Sequence, residues 1–142
     1  MDNNLKICKK CKRELLVNLF SIKHSWCKEC SRKYSKLYVK RIKLEAHKYL
    51  SKDGVPKCSV CGFKDVKLLQ IDHVNNDGSK EKTSFDQRFK GTSMYNKILK
   101  LPREEARERF QSLCIFHNWA RRYGKKAEEY KVIVLKDDDH AN

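Results

Sequence analysis

Residues 58–73 read CSVCGFKDVKLLQIDH, and this stretch decides how the second half of the chain is organised. Two residues between its cysteines allow a tight turn that directs both sulfur atoms toward one ion, which is the pattern of a zinc knuckle. The apolar residues over 66–71 predict a β-strand. The strand leads into Asp72 and His73, so the stretch predicts a zinc-anchored strand with two chemically versatile side chains at its end.

Three further pairs have the same spacing, and the four pairs together account for all seven cysteines. Their order predicts two ligand sets: Cys8, Cys11, Cys27 and Cys30 for the first, and Cys58, Cys61, Cys114 and His117 for the second. Each set supplies the four donors of a closed structural zinc site. The odd number of cysteines disfavours disulfides, and no βαβ pattern accompanies the pairs to favour a redox role. We therefore expect two structural zinc ions per chain.

The composition favours a small protein whose partner is a polyanion. The chain has 142 residues, 39% hydrophobic and 36% charged, with a formal net charge of +15. It contains no run approaching the roughly 20 apolar residues of a membrane span, and its first residues lack the apolar stretch of a secretory signal. We expect an intracellular protein (in host cytoplasm or nucleoid if the source is viral) that binds nucleic acid and no membrane.

The sequence predicts two modules, divided by a break over residues 53–56. Residues 1–52 hold 15 Lys and Arg against 4 Asp and Glu, whereas residues 53–142 hold 18 against 14. We interpret the first module as a zinc ribbon or finger followed by a helix that Ser31 caps and that runs to about Leu50. Most of the net charge therefore lies in the first module.

The predicted helix of the first module has an apolar side and a basic side. Residues at spacings of three and four form the apolar side: Tyr34, Leu37, Tyr38, Ile42, Ala46 and Tyr49. The basic side consists of Lys33, Lys36, Lys40, Lys43 and His47. A second basic cluster comprises Arg121, Arg122, Lys125 and Lys126. We expect both clusters to contact the DNA backbone, which gives affinity but little base specificity.

The second module is predicted to be a small α+β unit stabilised by zinc. Its predicted elements are a strand over 66–71, a polar loop over 74–92, helices over 93–101, 103–110 and 113–124, a strand over 130–135 and an acidic tail over 137–139.

A zinc ion shared by the second ligand set would hold FQSLCIFHNWARR (residues 110–122), interpreted as helical, beside the strand. Asn118 would then lie next to Asp72 and His73. The Asp72 carboxylate and the Asn118 carbonyl are hard oxygen ligands of the kind that Mg²⁺ or Mn²⁺ binds, and an imidazole can take a proton from water near neutral pH. This trio predicts phosphodiester hydrolysis by one metal ion and one histidine base.

Four segments in this order resemble an HNH endonuclease domain (the ββα-metal fold), particularly small phage and viral members with two zinc knuckles. They are CSVCG, LQIDHVNNDG, TSMYNKIL and FQSLCIFHNWARR, within roughly residues 55–125, and the preceding CKKC…CKEC unit is similar to modules fused ahead of such domains. The resemblance implies that Asp72 and Asn118 bind the catalytic metal and that His73 is the general base.

The chain departs from the family pattern in two places. His117 stands where the family usually has a zinc-binding cysteine. The middle asparagine that supports the histidine base has three candidates, among which spacing does not choose: Asn75, Asn76 and Asn96. Asp77 is a spare candidate ligand, although NNDG favours a turn.

Three functions remain open from the sequence. The first is a metal-dependent endonuclease that nicks or cuts double-stranded DNA, with two structural zinc ions and a catalytic Mg²⁺ or Mn²⁺. The second is a non-catalytic, zinc-containing nucleic-acid-binding protein. The third is a nuclease of the same fold that resolves DNA junctions. A dimer is possible, because a double-strand cut needs two sites or two successive events.

Simpler structural roles compete for several residues. A strand-end Asp-His pair also suits a hydrogen-bonded turn. Three aromatic residues of the second module are interpreted as core: Phe110, Phe116 and Trp119. Three histidines without partners at metal spacing are expected at the surface: His24, His47 and His140.

Overall fold

The computed structural model describes residues 4–75 and 91–123. The chain separates into two compact units, Met1–Arg41 and Ile42–Asn142. Over the described residues it contains four α-helices and two two-stranded antiparallel sheets, so the predicted small α+β class is confirmed. Within those residues, no helix combines the length and apolar character needed to cross a membrane.

The first unit is a short hairpin built around its cysteines. Strands β1 (Leu5–Ile7) and β2 (Glu14–Leu16) pair antiparallel, and a 3₁₀ turn (Val17–Leu19) follows. The buried residues are Cys8, Phe20 and Cys27, with Leu15 and Trp26 packed against them. So small a core provides little hydrophobic stabilisation, and units of this size usually gain the rest from metal or covalent crosslinks.

Helix α1 (Lys28–Leu50) begins three residues before the predicted start, so the prediction that Ser31 caps it was wrong. The helix starts directly after Cys27, whose carbonyl accepts a hydrogen bond from the Ser31 amide at 3.0 Å. Its predicted apolar side is divided between the two units. Ile42 and Ala46 are buried, whereas Tyr34 is 52% exposed.

The second unit is a β-hairpin packed against helices. Strands β3 (Leu69–His73) and β4 (Phe110–Cys114) pair antiparallel, with Leu69 opposite Cys114 and His73 opposite Phe110. The helices are α2 (Thr92–Lys100), α3 (Arg103–Arg109) and α4 (Ile115–Arg122). One core cluster contains Leu50, Ile98, Ala106 and Phe110, and the other contains Cys58, Leu69, Leu113 and Cys114.

Strand β4 is the main difference from the predicted elements. The sequence interpretation made residues 110–122 helical, but Phe110–Cys114 is a strand and only Ile115–Arg122 is helical. Apolar residues at 110, 113 and 114 fit either pattern locally. The tertiary structure favours the strand, because the backbone amides and carbonyls of β3 need partners. Strand β3 itself lies two to three residues later than the predicted 66–71.

His47 was predicted to lie at the surface but is fully buried. Its Nδ1 lies 2.7 Å from Oγ of Ser112 on β4, which connects the end of α1 to the hairpin. Burial, with a smaller contribution from the charge of Lys43, lowers the pKa of His47 from 6.5 to about 4. The imidazole is therefore neutral at pH 7. His24 is exposed, as expected.

We expect His47 to make the second unit sensitive to mild acid. The unfolded state takes up a proton near pH 6.5, whereas the folded state resists it until about pH 4, so stability present above pH 6.5 is lost as the pH falls. Between pH 7 and 5 the loss should be about 2 kcal/mol. Urea unfolding at both pH values should show a loss about 2 kcal/mol larger in the wild type than in His47→Asn, which retains a polar atom near Ser112. The loss that comes from protonation of the zinc ligands is common to both proteins. Equal losses in the two proteins would contradict the prediction.

Several predictions fall outside the described residues. They concern most of the loop over 74–92, the strand over 130–135, the acidic tail over 137–139, and the side chains Asn76, Asp77, Lys125, Lys126 and His140. They stay predictions.

Candidate metal centres and active site

The two predicted ligand sets each come together in space. Cys8, Cys11, Cys27 and Cys30 form one cluster and Cys58, Cys61, Cys114 and His117 form the other, and in each cluster the ligand atoms lie within 4.8 Å of one another. Both groups could hold a metal ion. The pairing of cysteines predicted from spacing is therefore the pairing that the fold produces.

The geometry of the second cluster fits zinc. Sulfur atoms bound to one tetrahedral zinc at about 2.3 Å lie about 3.8 Å apart, and a sulfur and a nitrogen lie about 3.6 Å apart. The Cys61 and Cys114 sulfurs are separated by 4.0 Å, and the Cys58 sulfur lies 3.6 Å from Nδ1 of His117. The Cys114 sulfur lies 3.1 Å from the same nitrogen, which is about 0.5 Å closer than in bound zinc. Nδ1 is thus the ring nitrogen that faces the sulfur atoms.

The two clusters have the same local construction, although their sequences differ. In each knuckle the first cysteine accepts a hydrogen bond at its carbonyl from the residue four positions later, Lys12 at 2.8 Å or Gly62 at 3.0 Å. Both of those residues have positive φ, 61° and 75°. Glycine adopts this conformation readily, whereas Lys12 adopts it at some energetic cost. The shared backbone indicates that both CxxC turns are shaped for the same task.

The second half of each cluster lies at the start of a helix. Cys27 immediately precedes α1, and Cys114 immediately precedes α4. Amide groups there point toward sulfur: the Cys27 amide to the Cys8 sulfur at 3.3 Å, and the His117 amide to the Cys114 sulfur at 3.5 Å. The positive end of a helix favours thiolates, which are the form that binds zinc.

The cysteines of each cluster differ in pKa, and each cluster contains at least one thiol whose pKa lies below the usual value. Burial raises the pKa of Cys8, but hydrogen bonds from the amides of Cys11, Cys27 and Lys10 outweigh it and lower the pKa to about 6. The pKa of Cys58 is lowered in the same way, because backbone amides outweigh burial. Burial and neighbouring thiols raise the pKa of Cys61 to about 11. Zinc would therefore have to displace protons from some ligands.

Helix α4 lies against β3 and connects to it through two side-chain pairs. Asn118 donates a hydrogen bond to the Gln70 side chain, and Arg121 donates to the Asp72 carboxylate at 3.0 Å. Gln70 and Asp72 are two apart on a strand and therefore share a face. Asn118 and Arg121 are three apart on a helix and are neighbours on its surface. Asp72 and Asn118 consequently lie on the contacting faces of β3 and α4, and we call this contact region the β3–α4 groove.

His73 lies beside this groove in sequence but on the other face of the strand, because successive side chains alternate. It is the last residue of β3, is 9% exposed, and its ring lies 4.8 Å from that of Phe110. The structure thus brings Asp72 and Asn118 together and directs His73 toward the core cluster around Phe110. Its role as a base stays a prediction.

Among the asparagines considered for supporting His73, two are described. Asn75 is exposed in a turn, whereas Asn96 lies partly buried on α2. Helix α2 contributes Ile98 to the core cluster that contains Phe110, the residue opposite His73. Asn96 therefore belongs to an element packed near that end of the hairpin, and Asn75 directly follows the strand and Val74.

Arg121 has a role that the sequence interpretation missed. Besides its ion pair with Asp72, it donates to the carbonyls of His73 at 3.3 Å and Val74 at 2.7 Å. It therefore holds the end of β3 in place. The sequence feature that could have indicated this role is the position of Arg121, one turn after Asn118 on the same helix face. Its predicted contact with DNA stays a prediction, and Arg122 is exposed.

The lysines of α1 differ in how accessible they are. Lys33, Lys36 and Lys40 are exposed, and Lys33 pairs with Glu29 at 2.7 Å. Lys43 is partly buried, and its ammonium donates to the carbonyl of Lys67 at 3.1 Å. Lys43 therefore stabilises the second unit directly, which the sequence did not indicate.

The aromatic residues of the second unit only partly follow the prediction. Phe110 is 2% exposed and belongs to the core, as predicted. Phe116 and Trp119 were predicted to be core and are 38% and 52% exposed, so that prediction was wrong. The first part of α4 uses its inner face for His117 and Ala120, and residues 116 and 119 therefore turn outward.

Comparison with known proteins identifies no relative: no family model, curated protein or solved structure matches this chain. The clusters and the β3–α4 groove are therefore interpreted from their own chemistry.

Proposed function

We propose that the protein is a metal-dependent DNA endonuclease of the HNH type, which hydrolyses phosphodiester bonds in double-stranded DNA. The observation that supports this most directly is the groove between β3 and α4, where Asp72 and Asn118 lie on facing elements. The Cys₃His cluster joins the loop before β3 to the start of α4. A metal ion bound there would therefore fix β3 and α4, the two sides of the groove, relative to each other.

The donors in the groove fit a hard divalent cation. Asp72 and Asn118 supply carboxylate and amide oxygens, and Mg²⁺ or Mn²⁺ typically accepts one or two such ligands and keeps several waters. Arg121 contacts Oδ2 of Asp72, which leaves Oδ1 for a metal. Asn118 now donates through its amide nitrogen, so its oxygen is available as well. When bound, such an ion stabilises negative charge on the phosphate and on the departing oxygen.

His73 is assigned the role of general base. It follows Asp72 directly and ends β3, but its ring packs on Phe110 at the opposite face of the strand, so this role requires the strand end to turn the ring toward Asp72. Arg121 donates hydrogen bonds to the carbonyls of His73 and Val74. These bonds restrict the backbone position from which the imidazole can act. Proton transfer from the attacking water to a positioned imidazole contributes about 10²- to 10⁴-fold to rate.

A non-catalytic nucleic-acid-binding protein is the second candidate. The ion pair between Arg121 and Asp72 favours it, because a carboxylate already neutralised by a guanidinium is a poorer metal ligand. The exposed Lys33, Lys36 and Lys40 would serve DNA binding in either case.

Replacing His73 by Ala should lower the rate of plasmid nicking by about 10²- to 10⁴-fold. The assay measures conversion of supercoiled to open-circular DNA by zinc-loaded protein with added Mg²⁺ or Mn²⁺. His24→Ala is the matched control, because His24 is exposed and lies in the first unit. Nicking that survives His73→Ala would remove His73 from the mechanism. Tight DNA binding without any nicking by the wild type would favour the second candidate.

A further inference from the structure

The outer face of α4 carries two large aromatic side chains that the fold does not bury. Trp119 is 52% exposed and Tyr123, one turn further along at the end of the helix, is 66% exposed. Their ring centroids lie 4.8 Å apart with a 44° angle between the planes. The pair therefore forms a continuous aromatic surface, which we call the α4 aromatic face.

The packing of α4 in the core does not require Trp119 or Tyr123. Ala120 and His117 fill the buried side of α4, and both are fully buried. Large exposed apolar groups gathered in one patch usually mark a binding surface, whereas scattered ones do not. Two adjacent, mutually packed rings make a patch.

The patch is next to the candidate active site. Trp119 follows Asn118 directly, and Arg122 lies exposed between Trp119 and Tyr123 in sequence. Arg121 is engaged with Asp72, so Arg122 is the cation of α4 that remains turned toward solvent. An aromatic surface with a neighbouring cation suits a group that has a flat ring and a negative charge.

We propose that the α4 aromatic face stacks unpaired nucleobases, so that the preferred substrate is DNA in which a single-stranded segment adjoins the duplex. The inference rests on the proposed function and adds to it the class of DNA. The net charge of +15 favours a polyanionic partner over an apolar peptide. Inside a duplex the faces of the bases are covered by their neighbours, and only unpaired bases can stack on a protein ring.

The test compares binding of two DNAs of equal length, one fully paired and one with a single-stranded extension, by fluorescence anisotropy without added Mg²⁺. The wild type should bind the extended DNA more tightly. Trp119→Leu keeps an apolar side chain without a π face and should weaken binding to the extended DNA by about 5- to 150-fold, which corresponds to the loss of one stacked base. Trp119→Phe should stay close to wild type, and binding to the paired duplex should change little in either variant.

A zinc content equal to that of the wild type is the control for folding. If Trp119→Leu does not fold, the same comparison is made between Tyr123→Leu and Tyr123→Phe. Equal binding of both DNAs by wild type and Trp119→Leu would overturn the inference. It would also be overturned if the wild type sediments as a dimer that Trp119→Leu converts to monomer, because the face would then be an interface between two copies. If the wild type binds the extended DNA more tightly but nicks neither DNA, the proposed nuclease activity is contradicted. Base stacking on the α4 aromatic face is not contradicted by that result.

Discussion

Replacing His117 by Ala should release one of two zinc ions per chain and unfold the second unit, whereas His117→Cys should retain both ions and the fold. His117 is fully buried and its Nδ1 lies 3.1 Å from the Cys114 sulfur and 3.6 Å from the Cys58 sulfur. Without it, three ligands remain, and the contact between Cys58 in the loop before β3 and the start of α4 is lost.

The expected effect is large because metal binding is part of the folding free energy. Structural zinc contributes about 10–16 kcal/mol of binding free energy at pH 7 in small zinc-finger peptides, more than the total stability of most small domains. The hydrophobic clusters of the second unit contain only a few fully buried side chains, and they should not compensate.

Zinc analysis together with far-UV circular dichroism checks this prediction. His117→Cys is the matched control, because a thiolate can take the same tetrahedral position. The first cluster should keep its ion in both variants, since its ligands all lie in the first unit. A His117→Ala protein that stays folded with two zinc ions would show that His117 is not a ligand.

Replacing Asp72 or Asn118 by Ala should reduce nicking by about 10⁴-fold or more while leaving zinc content and DNA binding near wild type. Each supplies an oxygen to the proposed divalent cation, and loss of metal stabilisation of several kcal/mol corresponds to several factors of ten in rate. Both side chains are only partly buried, so neither replacement should open a cavity.

Gln70→Ala is the control for Asn118. It removes the hydrogen-bond partner of Asn118 but no proposed ligand, so nicking should fall far less. If the nicking rate falls equally in Gln70→Ala and Asn118→Ala, Asn118 acts through the contact between β3 and α4. It would then not act as a metal ligand. Undiminished nicking by Asp72→Ala would contradict the proposed site.

The sequence was most informative where chemistry alone restricts the answer. Few structural sites other than zinc sites need four thiolate or imidazole donors arranged in pairs. The two ligand sets could therefore be assigned from spacing, and both sets come together in the fold. Helix α2 was also predicted closely, because Pro102 limits where it can end. In these places a local pattern has one physical interpretation.

The sequence was least informative where the result depends on a distant partner. Phe110–Cys114 has apolar spacing that suits a helix, yet it pairs with β3. His47 follows the basic stripe of α1 by spacing, yet it is buried against Ser112. Neither outcome could be read locally, because each depends on which element packs against that segment.

By itself the sequence determined the donors, their pairing and the surplus of positive charge, since these follow from residue identity and short-range spacing. Only the tertiary structure decided that Arg121 would pair with Asp72, that His73 would turn toward Phe110 and that Trp119 would face solvent. Side-chain direction depends on strand alternation and helix rotation: a shift of one residue reverses the face on a strand and turns the side chain by about 100° on a helix. The packing of α4 on β3 sets both, and that packing is a property of the folded chain.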